Sequence, residues 1–169
     1  MKTVFLLRHA KSSWRNKELP DIDRPLKAKG INDAYAAAEF IKSKGLHPDH
    51  ILSSPANRSL HTAIIMARIV EFPFQRLEIH PHLYHENSEA IVDVIKMTNS
   101  EYDSIMLVGH DPILTNLYNW MTGSPIEKIP TASVLSIHFD INNWQQLDKG
   151  AGTLKIEFNP KKTNNPVKS

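Results

Sequence analysis

The stretch Thr3-Val4-Phe5-Leu6-Leu7-Arg8-His9 decides the fold. Its apolar run, Val4-Phe5-Leu6-Leu7, is far too short for a signal-peptide core or a membrane span, and it reads as a buried strand. The run ends abruptly on an arginine and a histidine. A half-buried guanidinium needs fixed partners, so an arginine and a histidine at the end of a buried strand are costly to place there without a purpose.

Outward from this strand, short β-rich runs alternate with longer segments of helical period. That order predicts an α/β fold, a three-layer α/β/α sandwich around a mostly parallel sheet. Strands are expected at residues 3–7, 50–53, 76–79, 104–108, 133–139 and 153–158, the last two as a hairpin-like or edge unit across the 142–152 turn region. A helix is expected over 28–43, stopped by Gly45. Ser54-Pro55 reads as an N-cap followed by proline at the first helical position. It opens a helix whose Leu60, Ala63, Ile64 and Ala67 recur at core-facing intervals and which ends near Phe72-Pro73. Asn87 is expected to cap a helix carrying Ile91, Val94 and Ile95, and Asp111-Pro112 repeats the cap-then-proline start of a helix closed by Gly123. Residues 1–160 are expected to form one domain, with 161–169 a loose, lysine-rich tail.

Composition narrows the function classes. A chain of 169 residues can bury roughly 70% of its unfolded surface in one core, without a disulfide or a metal. Hydrophobic residues at 41% and charged residues at 22% exclude a disordered, collagen-like or membrane-embedded chain. Twenty basic against eighteen acidic side chains leave a net charge of +2, which gives no support to a nucleic-acid or membrane-surface partner. Any anion must therefore be held by local charges. With no cysteine and nine histidines, thiol nucleophiles, disulfides and cysteine zinc sites are removed while imidazole chemistry stays available. No stretch reaches transmembrane length, and a soluble cytoplasmic protein is expected.

In open parallel sheets, ligands bind beyond the carboxyl ends of the strands, where loops converge and helix N-termini present free N–H groups. Arg8-His9, Arg58 and Gly109-His110 all follow strand ends and should meet in one crevice. Arg58 falls in the first turn of its helix, where the macrodipole disfavours a cation unless an anion lies between them; the plainer reading is a solvated arginine paired with a carboxylate. Two arginines suggest a phosphate pocket. Two histidines beside them suggest phosphoryl transfer, because imidazole can attack phosphorus while guanidinium forks hold the equatorial oxygens. Such a reaction needs no cofactor.

These residues resemble a known family. Leu7-Arg8-His9-Ala10-Lys11-Ser12-Ser13-Trp14 is similar to the Arg-His-Gly signature of the histidine phosphatase superfamily, also called phosphoglycerate mutase-like. Ser53-Ser54-Pro55-Ala56-Asn57-Arg58-Ser59-Leu60-His61-Thr62-Ala63 resembles its second-arginine block, and Val108-Gly109-His110-Asp111-Pro112 its second-histidine block. Short length, the Arg-His-Ala-Lys start, the Gly-His-Asp-Pro block and Pro130-Thr131-Ala132 are similar to the SixA-type phosphohistidine phosphatase branch. The resemblance implies a catalytic set of His9, His110, Arg8 and Arg58, with His9 the phosphorylated nucleophile and Arg8, Arg58 and His110 holding the phosphoryl group. Ser12 and Trp14, on the same loop, are expected beside the substrate. Ala10 in place of glycine, Trp14-Arg15 in place of Trp-Asn, and the lack of a long insertion count against a phosphoglycerate mutase.

The proton donor is the open part of the pattern. Superfamily mutases and many of its phosphatases place a Glu or Asp after the third strand, where this chain reads His80-Pro81-His82-Leu83-Tyr84-His85-Glu86-Asn87. Glu86 and His85 are the candidates. Weak acid catalysis would suit a phosphoramidate, whose nitrogen can leave already protonated, better than an alkyl phosphate. The expected substrate is phosphohistidine of a protein, with a small phosphorylated molecule as the alternative. A non-catalytic phosphate- or phosphoprotein-binding module is the reading outside enzymes. His80, His82 and His85 also suggest a metal site, but Pro81 breaks a regular strand and nothing completes an obvious ligand set, so solvated loop histidines and no metal are expected. His47 and His50 are read as surface residues, His61 as a phosphate-site neighbour or a helix-surface residue, His138 as structural, and Lys27 and Lys29 as a solvated helix face or, alternatively, as entrance residues that attract an acidic substrate.

Overall fold

Alternate side chains of the opening strand enter two different cores. In β1 (Lys2–Arg8), Val4 and Leu6 pack into one hydrophobic cluster and Phe5 and Leu7 into another. The period-2 alternation of a strand thus builds two layers of core from one apolar run. Each fully buried aliphatic side chain contributes about 1.5–3 kcal/mol relative to exposure. The computed structural model describes residues 1–85 and 88–163.

Six strands form the sheet: β1, β2 (His50–Ser53), β3 (Leu77–Ile79), β4 (Ser104–Gly109), β5 (Val134–Phe139) and β6 (Thr153–Phe158), in the order β3-β2-β4-β1-β5-β6. The first four are mutually parallel where they pair; β5 runs antiparallel to β1, and β6 antiparallel to β5 at the edge. The sheet is therefore mixed, with a parallel part that contains every strand end named above. Helices α1 (Ala28–Ser43) and α2 (Asn57–Ile69) cover the Phe5 and Leu7 face. On the Val4 and Leu6 face lie α3 (Ser88–Lys96) and α4 (Ile113–Thr122). A short turn, α5 (Pro160–Thr163), follows β6 and runs from the end of the expected domain into the first three residues of the expected tail.

The helix over 28–43 ends as expected, with Gly45 in the left-handed region at φ 66°, and Gly123 closes α4 at the same φ. Two cap expectations are corrected. Helix α2 begins at Asn57 with Ala56 as N-cap, because the Ser54 hydroxyl is turned to other work: it accepts the Ala56 N–H at 3.2 Å and contacts His110. Pro112, not Asp111, stands at the N-cap of α4, and the Asp111 carboxylate accepts the Thr115 hydroxyl instead. Helix α2 also stops at Ile69, before the Phe72-Pro73 limit, since Val70 and Glu71 leave helical geometry. The expected cap Asn87 lies outside the described residues. Gly30, early in α1, sits against the backbone of Lys11, where a Cβ would collide with the Lys11 carbonyl. The same carbonyl accepts the Lys27 N–H at 2.9 Å, so the helix start braces the loop after β1.

Candidate active site

Register alone brings the strand ends together. Arg8 pairs with Gly109 and Ser53 with Val108 across β1, β4 and β2, and the chain continues the pairing with His9 N–H to Gly109 O and Ser54 N–H to Val108 O, both 2.9 Å. His9 and His110 therefore stand side by side, ring centroids 5.0 Å apart. With Arg8 and Arg58 they line one cavity of about 590 Å³. Among the expected residues, Ser12 and Trp14 line it too.

Hydrogen bonds fix the two imidazoles differently. His9 Nδ1 lies 2.7 Å from the Ala10 carbonyl, which can only accept, so Nδ1 carries the proton and Nε2 the lone pair. His110 Nε2 lies 2.7 Å from Ser54 Oγ and 3.3 Å from Ser59 Oγ. Because Ser54 Oγ already accepts the Ala56 N–H, its own proton is free to go to Nε2, which leaves the His110 proton on Nδ1. That Nδ1 and Arg8 Nε are buried with no hydrogen-bond partner among the described residues. Buried polar groups are ordinarily satisfied, so two such nitrogens on side chains lining one cavity mark a place for an acceptor.

The electrostatics follow from burial among cations. Burial, together with Arg58, Arg8 and Arg24, pushes His9 down to about 4 despite its bond to Ala10. Burial, then His9 and the arginines Arg58 and Arg8, push His110 down to about 3, against the pull of Asp21. Both rings are neutral near pH 7.

Arg58 does pair with a carboxylate, as the plainer expectation had it, but it is buried in the cavity wall and not solvated, which corrects the other half of that expectation. Its Nη1 donates to the Asp21 carbonyl at 2.7 Å and its Nη2 to Asp21 Oδ2 at 2.9 Å. Asp21 also accepts Arg24 Nη1 on Oδ1 at 3.0 Å and the Tyr84 hydroxyl on Oδ2 at 2.8 Å. Partial burial would raise the Asp21 carboxyl, but these donors hold it down to about 2. Burial and the same contact push the Tyr84 hydroxyl up. Arg24 itself bonds Ser12 Oγ and the Ser13 carbonyl and lies 3.2 Å over the Trp14 ring. Ser12 thus enters the site as an acceptor for Arg24, and Trp14 as its stacking partner.

Sequence reasoning missed Asp21, Arg24 and Tyr84. The local sign was slight: Asp21 and Arg24 stand between Pro20 and Pro25, which limit the backbone freedom of an otherwise irregular loop. His85 is exposed against the Tyr84 ring at 5.4 Å, and Tyr84 rather than His85 lines the cavity. Glu86 lies outside the described residues. His50 is corrected from surface to a half-buried position beside Glu78 and Tyr102, because β2 pairs with both β3 and β4 there. His80 and His82 have rings 5.2 Å apart, and no group of three metal-ligating side chains occurs among the described residues. Lys27 lines the cavity, whereas Lys29 pairs with Asp33 at 3.5 Å. No helix among the described residues is long and apolar enough to cross a membrane.

The model of the histidine phosphatase superfamily (branch 1) matches residues 4–84. An uncharacterized chloroplastic protein of Arabidopsis thaliana is 30% identical over 92% of this chain and 76% of its own length. The Agrobacterium tumefaciens protein provisionally named phosphohistidine phosphatase SixA superposes with a TM-score of 0.78 at 27% identity, covering 94% of this chain and 99% of the other. A protein histidine phosphatase SixA complexed with tungstate has the same fold, with a TM-score of 0.83, 21% identity and coverage of 96% and 99%.

Proposed function

The chain belongs to the histidine phosphatase superfamily, in its SixA-type branch, and is a histidine-type phosphatase; on that premise we propose that it removes the phosphoryl group from phosphohistidine of a protein by way of a covalent intermediate on His9. The neutral His9 Nε2 attacks phosphorus in line while the P–N bond to the substrate breaks, and that bond's electron pair leaves with the substrate imidazole. Arg8, Arg58 and His110 hold the three non-bridging oxygens. His110, neutral with its proton already on Nδ1, donates that hydrogen to one of these oxygens. Water then attacks phosphorus, the P–Nε2 bond breaks with its electrons returning to His9, and inorganic phosphate leaves with a proton released to solvent.

Asp21, one of the carboxylates in the cavity wall, supports this choice of substrate. An alkyl phosphate leaves as an alkoxide that must be handed a proton, whereas a phosphoramidate nitrogen leaves already protonated. Pinned as an anion by two guanidinium groups and the Tyr84 hydroxyl, Asp21 has no proton to give. Comparing a phosphohistidine peptide with a hexose phosphate tests this, and kcat/KM is expected to favour the peptide by about 100-fold or more, the usual worth of a general acid. Comparable turnover of the sugar phosphate would overturn the assignment.

A further inference from the structure

Charge is not spread evenly over this near-neutral chain. Residues 11–29 hold six of its twenty basic and three of its eighteen acidic side chains, so this segment carries +3 while the rest of the chain carries −1. The phosphoryl pocket holds Arg24 from that set as a fixed guanidinium, with Lys11 and Lys27 at its wall, and leaves Arg15 and Lys17 outside. Lys11, Arg15, Lys17 and Lys27 are all exposed, and among the described residues none of the four makes an ion pair.

Trp14 stands in the middle of these cations with 66% of its surface exposed. An indole this exposed is uncommon on a folded surface, and exposed aromatic rings concentrate at recognition sites. Arg24 stacks over the Trp14 ring, so the indole is held in place before anything binds. Trp14 also divides the surface. It lines the catalytic cavity, a groove of about 360 Å³ that runs past Lys17 and Leu19, and a groove of about 560 Å³ that runs past Arg15, Pro25 and Lys27. Each groove adjoins the phosphoryl site through shared lining residues and has an apolar wall and an exposed cation, Lys17 in one and Arg15 in the other.

We infer that the loop between β1 and α1 is a docking surface for an acidic polypeptide segment, one that flanks the phosphorylated residue and crosses Trp14 with carboxylates reaching Arg15 and Lys17. The inference rests on the preceding reading that the phosphoryl group arrives on a protein. It adds what that protein must look like next to the phosphohistidine: carboxylates within a few residues, and an apolar side chain for the indole. Charge complementarity of this kind acts mainly on association and fades with added salt.

The test uses three substrates on the intact enzyme: phosphoramidate, a phosphohistidine peptide with Asp and Glu flanks, and the same peptide with Ser and Asn flanks. Wild type is expected to favour the acidic peptide in kcat/KM by about tenfold at low ionic strength, and to lose that preference in about 0.5 M salt. The double variant Arg15→Glu with Lys17→Glu should lose the preference while hydrolysing phosphoramidate at the wild-type rate. Equal kcat/KM for the two peptides in wild type, or a preference that survives the double variant, would overturn the docking surface alone. Failure of wild type to hydrolyse phosphoramidate would instead strike the phosphohistidine reading. Competition by a single-stranded oligonucleotide as strong as that of the unphosphorylated acidic peptide would overturn an acidic polypeptide as the occupant.

Discussion

Asp21 grips Arg58 twice, taking Nη1 on its main-chain carbonyl at 2.7 Å and Nη2 on its carboxylate at 2.9 Å. One loop residue therefore sets both the direction and the charge environment of an arginine that the helix dipole of α2 would otherwise push outward. The same carboxylate ties Arg24 and Tyr84 to the rim, so three walls of the cavity meet at one side chain.

Asp21→Ala should lower kcat/KM by about 10- to 100-fold, because Arg58 keeps its charge but loses its aim. Stability should fall by about 1–3 kcal/mol, the cost of leaving buried donors unsatisfied. Steady-state kinetics and denaturant unfolding of the one variant read both quantities. Wild-type kcat/KM would show that Arg58 needs no clamp.

Ser54→Ala removes the hydroxyl 2.7 Å from His110 Nε2 and frees the ring to take its other tautomer. Loss of one such hydrogen bond is worth about 1 kcal/mol, so a drop of about fivefold in kcat is expected, with partial rescue in Ser54→Thr. Nitrogen chemical shifts of His110 should report the change of tautomer directly; an unchanged spectrum would remove Ser54 from the account.

Acid should unfold this protein through its two buried cavity histidines, His9 and His110. Above pH 6.5 both rings are neutral in the folded and unfolded chain, and stability is complete. As pH falls below 6.5, the unfolded chain binds protons that the folded cavity refuses until about 4 at His9 and about 3 at His110. Each ring then removes about 2 kcal/mol between pH 6.5 and 5. Asp21, held at about 2 against an ordinary 3.8, adds a further loss as pH drops below 3.8. Urea unfolding from pH 7 to 5 measures the slope, which should flatten in His9→Asn; an unchanged slope in that variant would contradict the assignment.

Gly30→Ala should do harm where helix propensity promises benefit. In an exposed helix the change gains about 1 kcal/mol, but here the added methyl meets the Lys11 carbonyl that also receives the Lys27 N–H. The loop carrying Ser12 must shift, so both melting temperature and kcat/KM are expected to fall. A stabilised, fully active variant would mean that the loop yields without cost.

The parts of the site visible in the sequence are those that regular structure places. Arg8 ends, and His9 and His110 directly follow, strands whose apolar runs are unmistakable, and parallel pairing then brings them together by register. Arg58 is visible because a helix follows β2 almost at once. What stayed hidden depends on irregular backbone. Asp21 lies in a single 3-10 turn, Asp21–Asp23, whose sequence has no period to read, and Tyr84 follows another such turn, Pro81–Leu83. Ser54 was legible as a polar residue before a helix, but its cap geometry and its contact with His110 look alike in sequence. Ala132 adopts φ 56° and donates its N–H to the Arg8 carbonyl at 3.1 Å, a conformation that favours glycine and that no propensity would assign to alanine.

The central claim is that His9 carries the phosphoryl group. Rapid quench of the enzyme with radiolabelled phosphoramidate, followed by acid and alkali treatment and peptide mapping, tests it most directly. The label is expected on the peptide containing His9, lost in acid, stable in alkali and absent from His9→Ala. An acid-stable label, or one retained by His9→Ala, would contradict it.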